Sequence, residues 1–210
     1  MNGPALGRRG ALGLASALGA LASRAAAAQD GLRHDSAAAT ATGGGVVRLR
    51  GPLPDPRVTD AAMQRRRLAS DVIGGRVVAI DFVLTGCSAL CNVVSAAMAG
   101  AQEILGGRLP REAGLLSIAL DPFADTPEEL AAYGARFGAG PGWSLVNVPA
   151  PALDEVLRRL GGPRPGADHA PLVVVLDPQR GEMRRLLGLP APEQIAGAVT
   201  AALDARRKAV

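Results

Sequence analysis

The chain has 210 residues, with 23 basic and 19 acidic side chains and a formal charge of +4. The first 28 residues hold Arg8, Arg9 and Arg24 and no acid, so the rest is nearly balanced and lacks the basic footprint of a nucleic-acid binder. Only five residues are aromatic, which leaves Leu, Val, Ile and Ala to fill a core that this length can bury without disulfide staples.

Arg8 and Arg9 precede a 13-residue apolar stretch, Ala11 to Ser23, and then the segment RAAAAQD. Ala26 and Ala28 fit a small-residue cleavage pattern, which puts the mature start near Gln29. A helix of that length reaches about 20 Å, short of a hydrocarbon core of roughly 30 Å. Residues 1–28 therefore read as an export signal of the twin-arginine kind. The mature protein is expected to be soluble, periplasmic and monomeric; membrane association follows only if the signal is retained as an amphipathic anchor. Residues 29–56 are rich in Ala, Thr, Gly and Pro and read as a flexible linker or arm, with one short strand at Val46 to Leu49. The folded domain is expected over residues 57–210.

Strands and helices then alternate. Arg76 to Leu84 (RVVAIDFVL) is a continuous apolar run with β-branched residues, as in a strand buried on both faces. Val94, Met98, Ala101 and Leu105 recur at helical spacing, and Gly106-Gly107 ends that helix. Leu115 to Leu120 is a second strand. It leads to a helix opened by Thr126 as cap, Pro127 in the first turn and Glu129 in a capping box. Trp143 to Val148 is a short strand, and Leu153, Val156, Leu157 and Leu160 mark a third helix. Leu172 to Asp177 and Glu182 to Leu187 form a hairpin, and Ile195, Val199 and Leu203 a last amphipathic helix. This order implies an α/β fold, a central mixed sheet flanked by helices on both faces.

The only two cysteines, Cys87 and Cys91, stand where the first strand gives way to the first helix. Positions four apart share a helix face, and a helix N-terminus favours thiolate. A structural disulfide over so short a loop would constrain the unfolded chain by only about 2 kcal/mol. Zinc sites need a second ligand pair that is missing here. The pair either cycles between dithiol and disulfide or holds a soft metal, for which an imidazole would complete a trigonal Cu(I) site.

Two histidines could supply that ligand: His34 in the arm and His169 just before a buried strand. Pro171 follows closely, at a place where thioredoxin-like folds keep a cis-proline opposite the cysteines. Asp121 and Asp125 read first as turn and cap residues, and second as residues that orient a ligand or tune a thiol. Asp81, inside the first strand, is a candidate buried proton acceptor.

Three linked segments carry a family likeness: Cys87-x-x-x-Cys91 after an apolar strand, then SIALDPFADTPEELAAYGARFG, then DHAPLVVVLDPQRG. Over roughly Arg76 to Leu187 they resemble the Sco/SenC family of copper chaperones. The resemblance implies a thioredoxin-like fold, and copper, as Cu(I) or Cu(II), held by Cys87, Cys91 and His169 with Asp121 near the metal. It also implies help in assembling the copper centre of cytochrome c oxidase, with subunit II or another cuproprotein as the receiving partner. The service rendered there is copper delivery, reduction of that centre's cysteines, or both. The alternative is a thiol-disulfide oxidoreductase, an enzyme with Cys87 and Cys91 as its catalytic redox pair, that reduces partner cysteines without carrying copper. The chain departs from the family in having Ser88 and Asn92 where proline usually follows each cysteine, a change expected to alter the loop's stiffness.

Overall fold

Why strand and helix alternate is visible in the burial pattern of a computed structural model, which describes residues 43–87, 90–163 and 170–209. β4 (Val77–Val83) and β5 (Ala113–Ala119) are buried at all seven positions, and β7 (Leu172–Asp177) at all six. A strand with both faces covered needs helices on each side of the sheet.

Eight strands form one sheet in the order β1 (Gly43–Arg48), β8 (Glu182–Leu187), β7, β4, β5, β6 (Trp143–Asn147), β2 (Arg57–Asp60), β3 (Arg65–Arg67). β4, β5 and β6 (Trp143–Asn147) run parallel, with Val77 opposite Ala113 and Leu115 opposite Trp143. β7 is antiparallel to β4 and forms the expected hairpin with β8 (Glu182–Leu187), Leu172 pairing with Leu187. Asp177 shapes the turn by accepting the Gln179 and Arg180 backbone N–H groups at 3.1 Å each. The strand period of two sends Val77, Ala79 and Val83 to one face and Val78, Ile80 and Phe82 to the other.

On the first face lie α1 (Leu90–Leu105), α2 (Pro127–Arg136) and α4 (Pro192–Arg207). They bury Val94, Met98, Leu130, Ile195 and Val199. On the second lie α3 (Ala150–Leu160) and a π-helical turn (Leu68–Ile73), burying Leu153, Val156, Leu157 and Leu160 with Leu68 and Ile73. Thr126 caps α2 as expected, its hydroxyl accepting the Glu129 N–H at 3.3 Å.

The sheet begins earlier than the composition suggested. β1 (Gly43–Arg48) falls within the stretch read as a linker, yet it pairs antiparallel with β8, Val46 opposite Arg184. The short strand expected at Val46 to Leu49 is present and starts three residues earlier; the glycines before it carry no periodicity, and the open side of β8 supplies the pairing that the local signal lacks. β2 (Arg57–Asp60) and β3 (Arg65–Arg67) went unannounced. Asp60 turns that hairpin by accepting the Ala62 and Gln64 N–H groups at 3.0 and 2.9 Å. β3 ends the sheet with three arginines, a charged edge that discourages further strand pairing. The expected export signal, His34, Ser88 and His169 lie outside the described residues.

Candidate metal and thiol site

Three parallel strands end on one edge, and their loops are tied together there. After β4 the chain turns at once, the Cys87 N–H donating to the Leu84 carbonyl at 3.0 Å. Thr85 in that turn donates both its N–H and its hydroxyl to Asp125 Oδ1, each at 2.8 Å. Asp125 is only 1% exposed, and its Oδ2 accepts the Asp121 N–H at 3.1 Å. Asn147, at the end of β6, donates from Nδ2 to the carbonyls of Pro122 and Asp125 at 2.9 and 2.8 Å. The cysteine loop is thus fastened to the loop after β5, and that loop to β6.

Asp121 spends its side chain on its own turn, Oδ1 accepting the N–H groups of Phe123 and Ala124 at 2.9 and 3.1 Å. The carboxylate that reaches the cysteine loop is Asp125. From sequence both looked like turn formers, because DPFADT is a complete explanation of itself.

Cys87 is half-buried in the loop, and Cys91 is buried in the first turn of α1 at 7% exposure. The shared helix face expected from the four-residue spacing is not what joins them, since Cys87 precedes the helix. The loop instead brings the Cys87 thiol close enough to act on that of Cys91. The expected lowering by the helix terminus is also overturned for Cys91. Burial pushes its thiol up to about 11, the Cys87 thiol adds to the rise, the Leu84 backbone opposes it, and the charges of Cys87 and Asp81 add further. Desolvation of the charged form outweighs half a unit of dipole charge.

A buried polar network lies below Cys91. Asp81 is 0% exposed, on the same face of β4 as Ala79 and Val83. Ser117 donates to its Oδ1 at 2.6 Å and Ser95 to its Oδ2 at 3.3 Å. Ser95 Oγ lies 2.8 Å from the Tyr133 hydroxyl, and Trp143 Nε1 donates to Ser117 Oγ at 3.0 Å. No cation joins Asp81 in these bonds, so burial raises its carboxyl to about 6 against the pull of two hydroxyls. Burial likewise lifts Tyr133 to about 12, with Asp81 and Cys91 adding to the rise. Ser95, Ser117 and Tyr133 were not singled out from sequence. The signal was a serine amid the apolar face of α1, one turn after Cys91, and another within an apolar strand.

Cys91 opens onto a narrow cleft of about 20 Å³ walled by Phe82, Leu90, Val94, Ala170 and Pro171. Ala170 directly follows His169 in the chain. The one cis peptide among the described residues is Leu109-Pro110; the Ala170-Pro171 bond, whose isomer the sequence left open, is trans. Among the described residues no three His, Cys, Asp or Glu side chains gather as a metal cluster. The two sulfurs suit a soft ion and supply two donors of the three a trigonal site needs. Among the described residues no helix is long and apolar enough to cross a membrane.

Residues 61–141 match the SCO1/SenC family model, a stretch that takes in both cysteines and the SIALDPF segment and ends before His169. No curated protein matches the chain. Among solved structures, BsSco is described as a member of the Sco family of cytochrome c oxidase assembly proteins with a disulfide switch. It is 18% identical with a TM-score of 0.63, over 75% of this chain and 96% of that one. Copper-bound ScoI from Arabidopsis thaliana is 14% identical with a TM-score of 0.60, over 75% and 99%. A SCO1/SenC family lipoprotein from Bacillus anthracis is 17% identical with a TM-score of 0.58, over 74% and 96%. At these identities the structures establish the thioredoxin-like α/β fold, and the family match shows the Sco/SenC likeness over the cysteine half of the domain.

Proposed function

We propose that this chain is an exported, periplasmic copper-binding protein of SCO1/SenC type that carries copper as cargo for a cuproprotein. The observation that carries this reading is the closeness of the Cys87 and Cys91 thiols, with Cys91 lining the same cleft as Ala170 and Pro171. Cys87 and Cys91 supply two thiolates for Cu(I) or Cu(II), and His169, one peptide bond before that wall, supplies the third ligand. Asp125 holds the cysteine loop in place through Thr85, so the donors are arranged before the metal arrives. The receiving partner is cytochrome c oxidase, through subunit II, or another copper protein that exposes cysteines. Copper titration into the reduced full chain is expected to reach one equivalent. Replacement of both cysteines by serine should abolish binding, and His169→Ala should weaken it while leaving the fold intact; unchanged tight binding in His169→Ala would remove that residue from the site.

A second reading is favoured by the unequal exposure of the thiols, Cys87 half-buried and Cys91 buried. In it Cys87 thiolate attacks a partner disulfide, forms a mixed disulfide and expels one partner thiolate, which takes up a proton. Cys91 gives up its proton and attacks the Cys87 sulfur, expelling the second partner thiol. Two electrons pass to the partner, and the Cys87–Cys91 disulfide is later reduced by an external dithiol. Reductase activity that survives in His169→Ala alongside lost copper affinity separates the two roles.

A further inference from the structure

A second cleft, of about 560 Å³, lies beside the C-terminal end of α3 and is lined by Arg48, Arg50, Arg158, Arg159 and Arg185. These come from three separate places: the end of β1 and the turn after it, the last turn of α3, and β8. Leu49, between the first two, packs on the α3-side core and donates its N–H to the Gly181 carbonyl at 2.8 Å, which anchors that corner.

Two of the arginines are positioned by their neighbours, while Arg48, Arg50 and Arg158 extend along the exposed rim. Gly161 ends α3 in the left-handed region at φ 64°, and a Cβ there would meet Arg185 Cδ and Nε at 3.6 Å. Arg185 therefore lies across the helix end. Arg159 donates from Nη1 to the Arg50 carbonyl and from Nη2 to Glu155 at 2.8 Å.

Charge in the cleft is one-sided. Glu155 is shared by Arg158 and Arg159, whereas Glu182, in register with Arg48, is taken by Arg180 at 3.0 Å. Among the described residues Arg48, Arg50 and Arg185 form no ion pair. Arginines in the last turn of α3 complement its dipole, but that accounts only for Arg158 and Arg159. Outside residues 1–28 the chain holds 20 basic against 19 acidic side chains, so this cleft concentrates charge that the rest of the molecule balances. Mutual repulsion of five guanidinium groups is relieved by an anion with several charges, and the planar fork of guanidinium matches phosphate oxygens in pairs.

We propose that this cleft binds a phosphate-bearing oligoanion, one with two or more phosphate groups. It contains no thiol and is independent of the copper reading. Calorimetry of the full chain with tripolyphosphate is expected to show binding that weakens as salt rises. Arg48→Gln and Arg185→Gln should each lower the affinity about tenfold. Arg185→Lys should fall between, and an Arg111→Gln/Arg207→Gln control in a different cleft should leave it unchanged. Vesicles containing phosphatidylinositol bisphosphate that displace tripolyphosphate, where phosphatidylcholine vesicles do not, assign the phosphates to a lipid headgroup; tripolyphosphate binding without displacement assigns them to a soluble ligand. Equal affinity in a folded Arg48→Gln/Arg185→Gln protein, or displacement by polyglutamate as effective as that by tripolyphosphate, overturns the proposal.

Discussion

Thr85 gives Asp125 two hydrogen bonds to a single oxygen, each 2.8 Å long, across forty residues of chain. Asp125→Ala would leave the Thr85 N–H and the Asp121 N–H without their acceptor in a buried corner. The expected loss is about 2–3 kcal/mol in denaturant unfolding. Asp125→Asn, which keeps an oxygen for Thr85, should lose less. Copper affinity should fall with Asp125→Ala more than with Asp125→Asn; equal copper binding in all three proteins would separate this clamp from the site.

The thiols should react unequally. With Cys91 pushed up to about 11 by burial, its thiolate is a very minor species at pH 8. Iodoacetamide followed by peptide mass mapping should label Cys87 first, and the Cys91 rate should keep rising with pH well beyond 9. A Cys91 rate that levels off near neutral pH would contradict the buried thiol.

Asp81 makes stability depend on pH in a stated direction. Its folded value, about 6, is above the ordinary 3.8, so the folded state holds the proton more tightly than the unfolded chain. The contribution is full below about 4 and is lost as pH rises toward 6 and beyond. Asp81→Asn, which cannot ionise, should therefore raise stability at pH 7.5 by about 3 kcal/mol and change little at pH 4. Paired urea titrations at the two pH values measure it, and a destabilised Asn variant at pH 7.5 would refute the assignment.

Gly162 touches the wall of the cysteine cleft. A Cβ there would come within 2.8 Å of two ring carbons of Phe82 and 3.2 Å of Leu157. Gly162→Ala should cost about 1–3 kcal/mol by overpacking, and it should displace the segment that leads toward His169. Thermal unfolding checks the first effect and copper titration the second.

Much of this architecture is local in origin. β4, β5, β7 and β8 and the four α-helices follow from apolar period, caps and glycine stops, signals that depend on a residue's near neighbours alone. Cys87 and Cys91 were legible for the same reason, as were the motifs that carry the Sco/SenC likeness. The β2–β3 hairpin was not, and β1 was legible only in its second half, because short, glycine- or arginine-rich strands owe their conformation to the partner they pair with.

The site depended still more on distance in space. Whether Asp121 or Asp125 reaches the cysteine loop turns on where the ends of β4, β5 and β6 fall relative to one another. Ser95, Ser117 and Tyr133 become one network only when α1, β5 and α2 converge on Asp81. The direction of the Cys91 shift was misjudged from the helix terminus because burial is set by every element packed around a thiol. Residue order thus determined which side chains were available for chemistry, whereas tertiary packing decided which of them meet and how much water they lose.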